Sequence, residues 1–425
     1  MRPFSNPARI AVHKDEEVYP YYAGFSRLFA EDAVKWATSG DREKLVLDPW
    51  NGSGTTTRIA SQLGISSIGF DLNPVMVLVA KAEQLDPAEA PVLLPLASRI
   101  VKTVRKSSLQ DAREPLNVLF DETTSKDIVA LARSIWIHVV PGSLLKTRGK
   151  LLFTSDSIAP LAGIYFVALF NSTRRFLRSL ATSNPTWLRM PSRAEEKIHV
   201  PRKQILDAFI SEVRRIKVNI ASRAPLDKSQ VARLALADSR SLPLQAESVD
   251  AIVTSPPYCT RLDYGRATMP ELLILESMGV ANYGDARRQL MGAATAKKPT
   301  QKIPLGPTCE ELLKGIKNHP SKASSTYYFQ SHLAYFNDLA SSITEIGRVL
   351  TPGGRMCMVA QDSYYKELHN DLPKIIIEIA RNNGIAAIES FEYKKSKSMC
   401  GINKVSQVYR SVRTPIEMAI LFSKE

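Results

Sequence analysis

The 425 residues are 44% hydrophobic and 23% charged, an ordinary globular composition that excludes a wholly disordered chain. Lysine and arginine number 56 against 42 aspartate and glutamate, and the formal charge of +14 favours a polyanionic partner without saying which one. The longest apolar runs, such as residues 164–170, fall short of the ~20 residues that span a bilayer, and the N-terminal stretch lacks an apolar segment, so we predict a cytoplasmic protein. The cysteines stand far apart with no CxxC pair, which argues against a zinc site and a disulfide framework: Cys259, Cys309, Cys357 and Cys400.

The first predicted elements alternate strand and helix. Residues 44–48 (KLVLD) form a short apolar strand that ends in a carboxylate, the turn sequence PWNGSG follows, and residues 55–64 are typical of a helix. Residues 67–71 (SIGFD) repeat the pattern, with a helix that starts near Pro74. Two successive βα units predict an α/β protein with a parallel, Rossmann-like sheet.

The βα order then stops over residues 86–230, where amphipathic stretches predict a mostly helical insertion. Strand patterns resume at residues 233–239 and 248–258, followed by a helix, a Pro-Gly-Gly turn and three more strands. We therefore predict an interrupted sheet in three parts: an N-terminal part (1–85), a helical insertion that is a candidate for target recognition (86–230) and a C-terminal part (231–425).

The positive charge is uneven along the chain. Residues 171–220 hold eleven Lys/Arg against four Asp/Glu, which fits either a nucleic-acid surface or a solvated helical face. The candidate phosphate-contacting and base-stacking residues are Arg174, Arg175, Arg178, Arg189 and Trp187. A tryptophan buried between helices is the alternative for Trp187. Residues 281–330 hold eight Lys/Arg against three Asp/Glu and indicate either a mobile DNA-contacting loop or a disordered linker.

Gly52 and Gly54, in DPWNGSGTTT, allow a tight turn and close backbone approach to a ligand at a helix N-terminus. The turn lacks the lysine of a Walker A loop and the spacing of a dinucleotide fingerprint, so it indicates a nucleotide-like cofactor or a plain βα turn. Asp71 ends the second strand, where an acidic residue receives ribose hydroxyls in Rossmann-like sheets, and Asp238 ends the third strand. Each carboxylate could instead cap a helix.

The sharpest signal is TSPPYCTRLDY, residues 254–264. Pro256 and Pro257 after a strand predict a rigid turn whose carbonyls are free to accept hydrogen bonds. Ser255 and those carbonyls would face an amino group and Tyr258 would offer a stacking plane, which suits a base flipped out of its helix. On its own, such a turn is more often structural.

Together these motifs resemble the S-adenosylmethionine-dependent DNA amino-methyltransferases, specifically the SPPY-type, cytosine-N4-like members. In that family a DPFxGSGTT-like motif holds the methionine end of the cofactor, and DPWNGSGTT matches it with Trp50 in place of phenylalanine. The resemblance covers residues 13–82 and 231–425. One departure is that the insertion precedes the strand that ends at Asp238.

The resemblance implies a Rossmann-like methyltransferase sheet, S-adenosylmethionine as cofactor and double-stranded DNA as substrate. The cofactor-binding residues that it implies are Tyr19, Phe25, Asp48, Trp50, Gly52, Gly54, Thr55, Asp71 and Asp238. The catalytic residues that it implies are Ser255, Pro256, Pro257 and Tyr258.

We therefore predict methyl transfer to an exocyclic amino group, with cytosine N4 as the leading target, in a restriction or defence system with a cognate partner protein. Ser255 and a proline carbonyl would accept the hydrogens of the amine and direct the nitrogen lone pair at the methyl group, without a covalent intermediate. Methylation of a ring carbon would need a nucleophilic cysteine after a proline, and Cys259 has none before it. Adenine N6, an RNA base and a non-catalytic nucleic-acid-binding role are the alternatives.

Overall fold

The computed structural model describes residues 4–8, 17–21, 24–105, 114–140, 158–184, 186–227, 230, 232–259, 262–292, 303–394 and 416–425. Seven strands form one sheet: β1 (Val46–Asp48), β2 (Ser67–Asp71), β3 (Ala232–Leu236), β4 (Val249–Thr254), β5 (Leu350–Gln361), β8 (Ile385–Lys394) and β9 (Ile416–Lys424). A separate two-stranded ribbon consists of β6 (Ser363–Tyr365) and β7 (Leu368–Asn370).

The strand order in the large sheet is β3-β2-β1-β4-β5-β9-β8. The first five strands are parallel, and β9 runs antiparallel to both β5 and β8. The predicted α/β class with a Rossmann-like methyltransferase sheet is confirmed. The predicted Pro-Gly-Gly turn instead lies inside β5, where Gly353 has a φ of 72° and the pairing with β4 skips from Leu350 to Arg355.

Helices cover the sheet and extend beyond it. They are α1 (Arg27–Thr38), α2 (Thr55–Gln62), α3 (Pro74–Glu83), α4 (Leu93–Thr103), α5 (Glu122–Val139), α6 (Pro160–Phe176), α7 (Arg202–Ala221), α8 (Tyr264–Ala267), α9 (Met269–Ser277), α10 (Tyr283–Gln289), α11 (Pro307–Asn318), α12 (Phe329–Val349) and α13 (Leu372–Arg381). No helix in the described ranges is both long and apolar enough to cross a membrane.

The strand order reverses between β1 and β4. The chain leaves β1 towards β2 and β3 and returns on the other side of β1 as β4. A crevice opens at the carboxyl ends of the strands at such a reversal, and ligands of open α/β sheets bind there. Asp48 ends β1, Asp71 ends β2 and Thr254 ends β4, so the three motifs found in the sequence meet at this point.

The described residues between 86 and 227 form α4 to α7 and contribute no strand to the sheet. Their apolar side chains share one core with α3 and α9, in which Phe166 and Phe209 are buried. Gly163 of α6 packs directly on α3, because a Cβ there would lie 2.6 Å from the Leu78 carbonyl oxygen. This helical segment thus shares a core with helices that belong to the sheet region. The predicted division of the chain into three parts at residues 85 and 230 stays a prediction.

Residues 281–330 differ from the predicted loop or linker. Their described part forms α10 and α11, and the buried face of α11 includes Cys309, Leu312 and Ile316. That apolar face packs into the core, which accounts for the helix despite the basic composition. Residues 293–302 of this stretch lie outside the described residues.

Candidate active site

A cleft of about 940 Å³ lies at the carboxyl ends of β1, β2 and β4 and is open to solvent. Most of the residues that we predicted from motifs line it: Phe25, Asp48, Trp50, Gly52, Thr55, Asp71, Asp238, Ser255, Pro256, Pro257 and Tyr258. Stretches that are distant in the sequence thus share one cleft.

The glycine turn is held against β2 by its own backbone and by Asn51. The Asn51 N–H donates to the Phe70 carbonyl at 2.8 Å, and the Asn51 side chain occupies space that a Cβ on Gly69 would fill at 2.5 Å. Gly52 has a φ of +50°, and a Cβ there would lie 3.1 Å from the ring of Tyr21. A glycine is needed at position 52, and it keeps the backbone open to a ligand.

Asp48 is a buried carboxylate and Asp71 a half-buried one, and both lie on the cleft wall. Asp48 accepts hydrogen bonds from the Thr254 hydroxyl at 2.6 Å and the Trp50 N–H at 3.1 Å. Asp71 accepts from the N–H groups of Gly52 at 3.0 Å and Asn73 at 2.8 Å. Burial raises the pKa of both carboxyls to about 6. Within the described residues neither carboxylate has a cationic partner, so this wall favours a cationic ligand.

Asp238 has a different environment. The Arg240 guanidinium donates to both of its carboxylate oxygens, at 2.8 and 2.7 Å, and reaches Asp338 at 2.9 Å and the Gln289 carbonyl at 3.0 Å. Both Arg240 and Gln289 line the cleft. Asp238 thus fixes an arginine there, and a direct contact between Asp238 and a cofactor stays a prediction.

Two tyrosines from other elements hold the backbone of the SPPY turn, residues 255–258, by hydrogen bonds. The Tyr335 hydroxyl of α12 donates to the Pro257 carbonyl at 2.7 Å, and the Tyr258 N–H donates to the Tyr264 hydroxyl at 3.1 Å. The expectation that both proline carbonyls are free is therefore wrong for Pro257.

Two acceptors of this turn have no protein donor among the described residues. They are the hydroxyl of Ser255 and the carbonyl of Pro256, and both residues line the cleft. Cys259, directly after the turn, is 3% exposed and buried in the core. The residues with these acceptors, rather than the cysteine, line the cleft.

Two predicted cofactor residues lie outside the lining of this cleft. The Tyr19 hydroxyl donates to Glu271 at 3.1 Å, and Tyr19 lines a second pocket of about 510 Å³ that shares Tyr264 with the first. Gly54 faces α3, where its Cβ would lie 3.0 Å from Ala80. The structure gives both residues packing contacts, and their contact with a cofactor stays a prediction.

The arginines at the end of α6 also have internal partners. Arg174 pairs with Glu271, which is fully buried, and donates to the Ala267 carbonyl. Arg175 pairs with Glu212, another buried carboxylate. Arg174 is partly exposed and forms an ion pair with a buried glutamate, and contact of Arg174 and Arg175 with phosphate stays a prediction.

The other predicted nucleic-acid residues lie at the surface. Arg178 is exposed, and Arg189 pairs with Glu196 at 2.8 Å. Trp187 is 43% exposed and carries the Arg266 guanidinium 4.6 Å above its ring. The alternative of a tryptophan buried between helices is wrong, and contact of these residues with nucleic acid stays a prediction.

A family model described as DNA methylase, covering N6 and N4 enzymes, matches residues 10–82 and 249–425, more than half of the chain. The matched stretches contain the glycine turn, Asp71 and the SPPY turn. The chain belongs to the N6/N4 DNA methylase family. Type II methyltransferase M.BsoBI of Geobacillus stearothermophilus is 26% identical over 280 residues, which are 60% of this chain and 51% of the relative. The chain thus spans about half the length of that curated relative.

Solved structures are similar to this chain only at low sequence identity and low TM-score. A candidate DNA modification methylase of Thermus thermophilus is 18% identical over 44% of this chain and 52% of that chain, with a TM-score of 0.23. The 4+2 cyclase SpnF is 10% identical over 96% of this chain and 86% of that chain, with a TM-score of 0.33. Both TM-scores are low, and the strand order of the chain itself defines its Rossmann-like sheet.

The sequence motifs did not identify several residues that shape the cleft. Asn51 and Asn73 lie inside the motifs themselves, and their turn-forming type next to a strand end was an available signal. Arg240, Tyr264 and Tyr335 had no comparable signal, because their roles depend on partners that folding brings to them.

Proposed function

We propose that the chain transfers the methyl group of S-adenosylmethionine to the exocyclic amino group of a base in double-stranded DNA, with cytosine N4 as the target. The proposal is carried by one observation, made on the described residues: a single cleft is lined by two carboxylates without cationic partners, Asp48 and Asp71, and by the two residues of the SPPY turn whose acceptors have no protein donor, Ser255 and Pro256. Membership in the DNA methylase family supports the class of reaction.

The residues of the cleft fit this cofactor. Asp48 and Asp71 offer negative charge and hydrogen-bond acceptors to its cationic groups and ribose hydroxyls, and Gly52 leaves the backbone accessible. Phe25 and Trp50 offer apolar surface for the adenine. When bound, S-adenosylmethionine supplies an electrophilic methyl group on a positively charged sulfur.

The SPPY turn would prepare the amine of the base. An exocyclic amine shares its lone pair with the ring and is a poor nucleophile. Acceptance of its two hydrogens by the Ser255 hydroxyl and the Pro256 carbonyl localises that lone pair on nitrogen. Transfer would form the N–C bond, break the bond between the methyl carbon and the donor sulfur with S-adenosylhomocysteine as the leaving group, and release one amine hydrogen as a proton to solvent. Because Tyr335 and Tyr264 hold the backbone of the turn, the acceptors are oriented before the base arrives.

The base must leave the duplex to reach this cleft, so the proposal includes base flipping, with the Tyr258 ring as a stacking surface. Cytosine is proposed over adenine because of the resemblance of TSPPY to the cytosine-N4-like motif. The similarity to a protein named Type II methyltransferase supports a role as the modification enzyme of a restriction system.

The test is incubation with S-adenosylmethionine labelled in its methyl group and duplex DNA or total RNA, followed by mass spectrometry of the nucleosides. We expect N4-methylcytosine in the duplex. If the product is N6-methyladenine, the target base is adenine instead of cytosine and the proposed mechanism still holds. Label in RNA alone, or in no nucleic acid, would overturn the proposal. Ser255→Ala should lose the product, and Cys259→Ala, a change next to the same turn, should keep it.

A further inference from the structure

We propose that duplex DNA docks on a surface at the mouth of the cleft formed by Trp187, Arg266, Arg287 and Arg288, here named the arginine rim. These residues come from the loop after α6, from α8 and from α10. The inference rests on the proposed DNA substrate and assigns the surface that receives it.

The first part of the rim is the stacked pair of Trp187 and Arg266. Arg266 lies 4.6 Å from the centre of the indole ring, and its side chain is 43% exposed. Its nearest carboxylate among the described residues, Asp263, is 4.0 Å away. Stacking orients a guanidinium without neutralising it, so the N–H edge of Arg266 stays available to a phosphate.

The second part of the rim is α10, which lies directly against α8. A Cβ on Gly265 would come within 2.6 Å of the Arg287 side chain and 3.0 Å of the Arg287 Cα, so this glycine permits the contact. Asp263 accepts from Arg287 at 2.9 and 2.7 Å and orients it. Arg288 is 53% exposed, and its partner Asp285 is 57% exposed on the same helix, a pairing that solvent weakens.

The rim adjoins the proposed reaction centre. Helix α8 begins at Tyr264 and α10 ends at Gln289, and both of these residues line the cleft. Each rim arginine is therefore within two positions of a cleft residue. Exposed guanidinium groups next to an exposed indole suit backbone phosphates and an unpaired base, so a duplex held here would present its target base to the SPPY turn.

The test measures duplex affinity across a salt series for the variant Arg266→Gln with Arg288→Gln. The matched control is Arg42→Gln, because Arg42 is exposed, pairs with Asp227 at the same 4.0 Å and precedes β1, at the opposite end of the sheet. The logarithmic salt slope should fall by about 0.9 for each lost phosphate contact, about 1.8 for the double variant, for duplexes of any sequence. The control should keep the wild-type slope, and the affinity for S-adenosylmethionine should stay unchanged in both.

A second comparison tests the stacked pair. Trp187→Ala should weaken duplex binding because Arg266 loses its support, and Trp187→Phe, which keeps an aromatic face, should restore most of the loss. An unchanged salt slope in the double arginine variant, or an equal fall in the Arg42→Gln control, would overturn the proposal that DNA docks on the arginine rim. The proposed function would be retained as long as the wild-type protein methylates DNA. A wild-type protein without duplex affinity would overturn both the rim and the proposed function.

Discussion

The cleft and the helical segment between residues 86 and 227 differ in how their sequence signals relate to their structure. In the cleft, motifs at strand ends predict residues that do line one cavity. In the helical segment, an excess of Lys/Arg predicts phosphate contacts, but Arg174 and Arg175 lie in internal ion pairs. A motif encodes local backbone geometry, whereas a charge count does not distinguish a surface charge from one that compensates a buried carboxylate.

The helical segment has several such compensating pairs. Glu212 is 1% exposed and contacts both Arg175 and Arg215, and Glu83 pairs with Arg223 at 2.6 Å. A buried carboxylate needs a partner because its desolvation is costly. Much of the local positive charge is therefore a requirement of the core, and the exposed arginines near the cleft come from other segments.

The largest expected effect tests the buried pair. Arg174→Gln leaves Glu271 without its cation in a fully buried position, so the free energy of unfolding should fall by roughly 3–5 kcal/mol, measured by urea denaturation. Arg178→Gln, an exposed change one turn further on, should alter it by less than ~0.5 kcal/mol. A stable Arg174→Gln protein with a reduced salt slope for DNA would instead place Arg174 on the DNA surface.

The second largest effect is expected in the cleft, at Ser255. Ser255→Ala removes one of the two open acceptors, so single-turnover methyl transfer should slow by about 100-fold or more. The dissociation constant for S-adenosylmethionine should stay nearly unchanged. Cys259→Ala should keep the wild-type rate, and the reverse pattern, an inactive Cys259→Ala with an active Ser255→Ala, would rule out the amine mechanism.

Asp48→Asn tests whether the negative charge of Asp48 in the cleft lowers the free energy of unfolding. Burial raises the Asp48 pKa from 3.8 to about 6, so the folded protein binds a proton more tightly than the unfolded chain does. Ionised Asp48 therefore destabilises the fold above pH 6, and the cost disappears as the pH falls towards 4. Asp48→Asn should raise the free energy of unfolding by about 2–3 kcal/mol at about pH 8 and by much less at about pH 4. Equal stability of the two proteins at the higher pH would refute this cost.

Asp71 should show the smallest of these effects, in cofactor binding. Because its pKa is about 6 and the carboxylate form is the acceptor, the affinity for S-adenosylmethionine should fall as the pH drops through 6. Asp71→Asn should weaken binding at about pH 8 by about 1–3 kcal/mol and reduce its dependence on pH, as titration calorimetry would show. Asp250→Asn is the control, since Asp250 contacts the Leu45 N–H near the amino end of β4. An unchanged affinity in folded Asp71→Asn would remove Asp71 from the site.

The sequence by itself determined the α/β class, the strand-turn-helix around Gly52 and the carboxylates at the ends of β1 and β2. These features are local: an apolar run, a glycine with positive φ and an acidic residue within a few positions suffice to define them. The carboxyl ends of parallel strands share one edge of the sheet, so prediction of the strands also predicted that Asp48 and Asp71 would meet.

Only the tertiary structure decided which polar groups have hydrogen-bond or ion-pair partners inside the protein and which have none among the described residues. The Tyr335 hydroxyl donates a hydrogen bond to the Pro257 carbonyl, 78 positions away in the sequence. Arg174 pairs with Glu271, 97 positions away, and Arg266 stacks on the ring of Trp187. Such partners are chosen by which surfaces pack together, and a hydrogen bond or ion pair at long sequence separation leaves no periodicity or motif. That choice left the Ser255 hydroxyl and the Pro256 carbonyl without donors among the described residues, and it placed exposed arginines at the arginine rim beside the cleft.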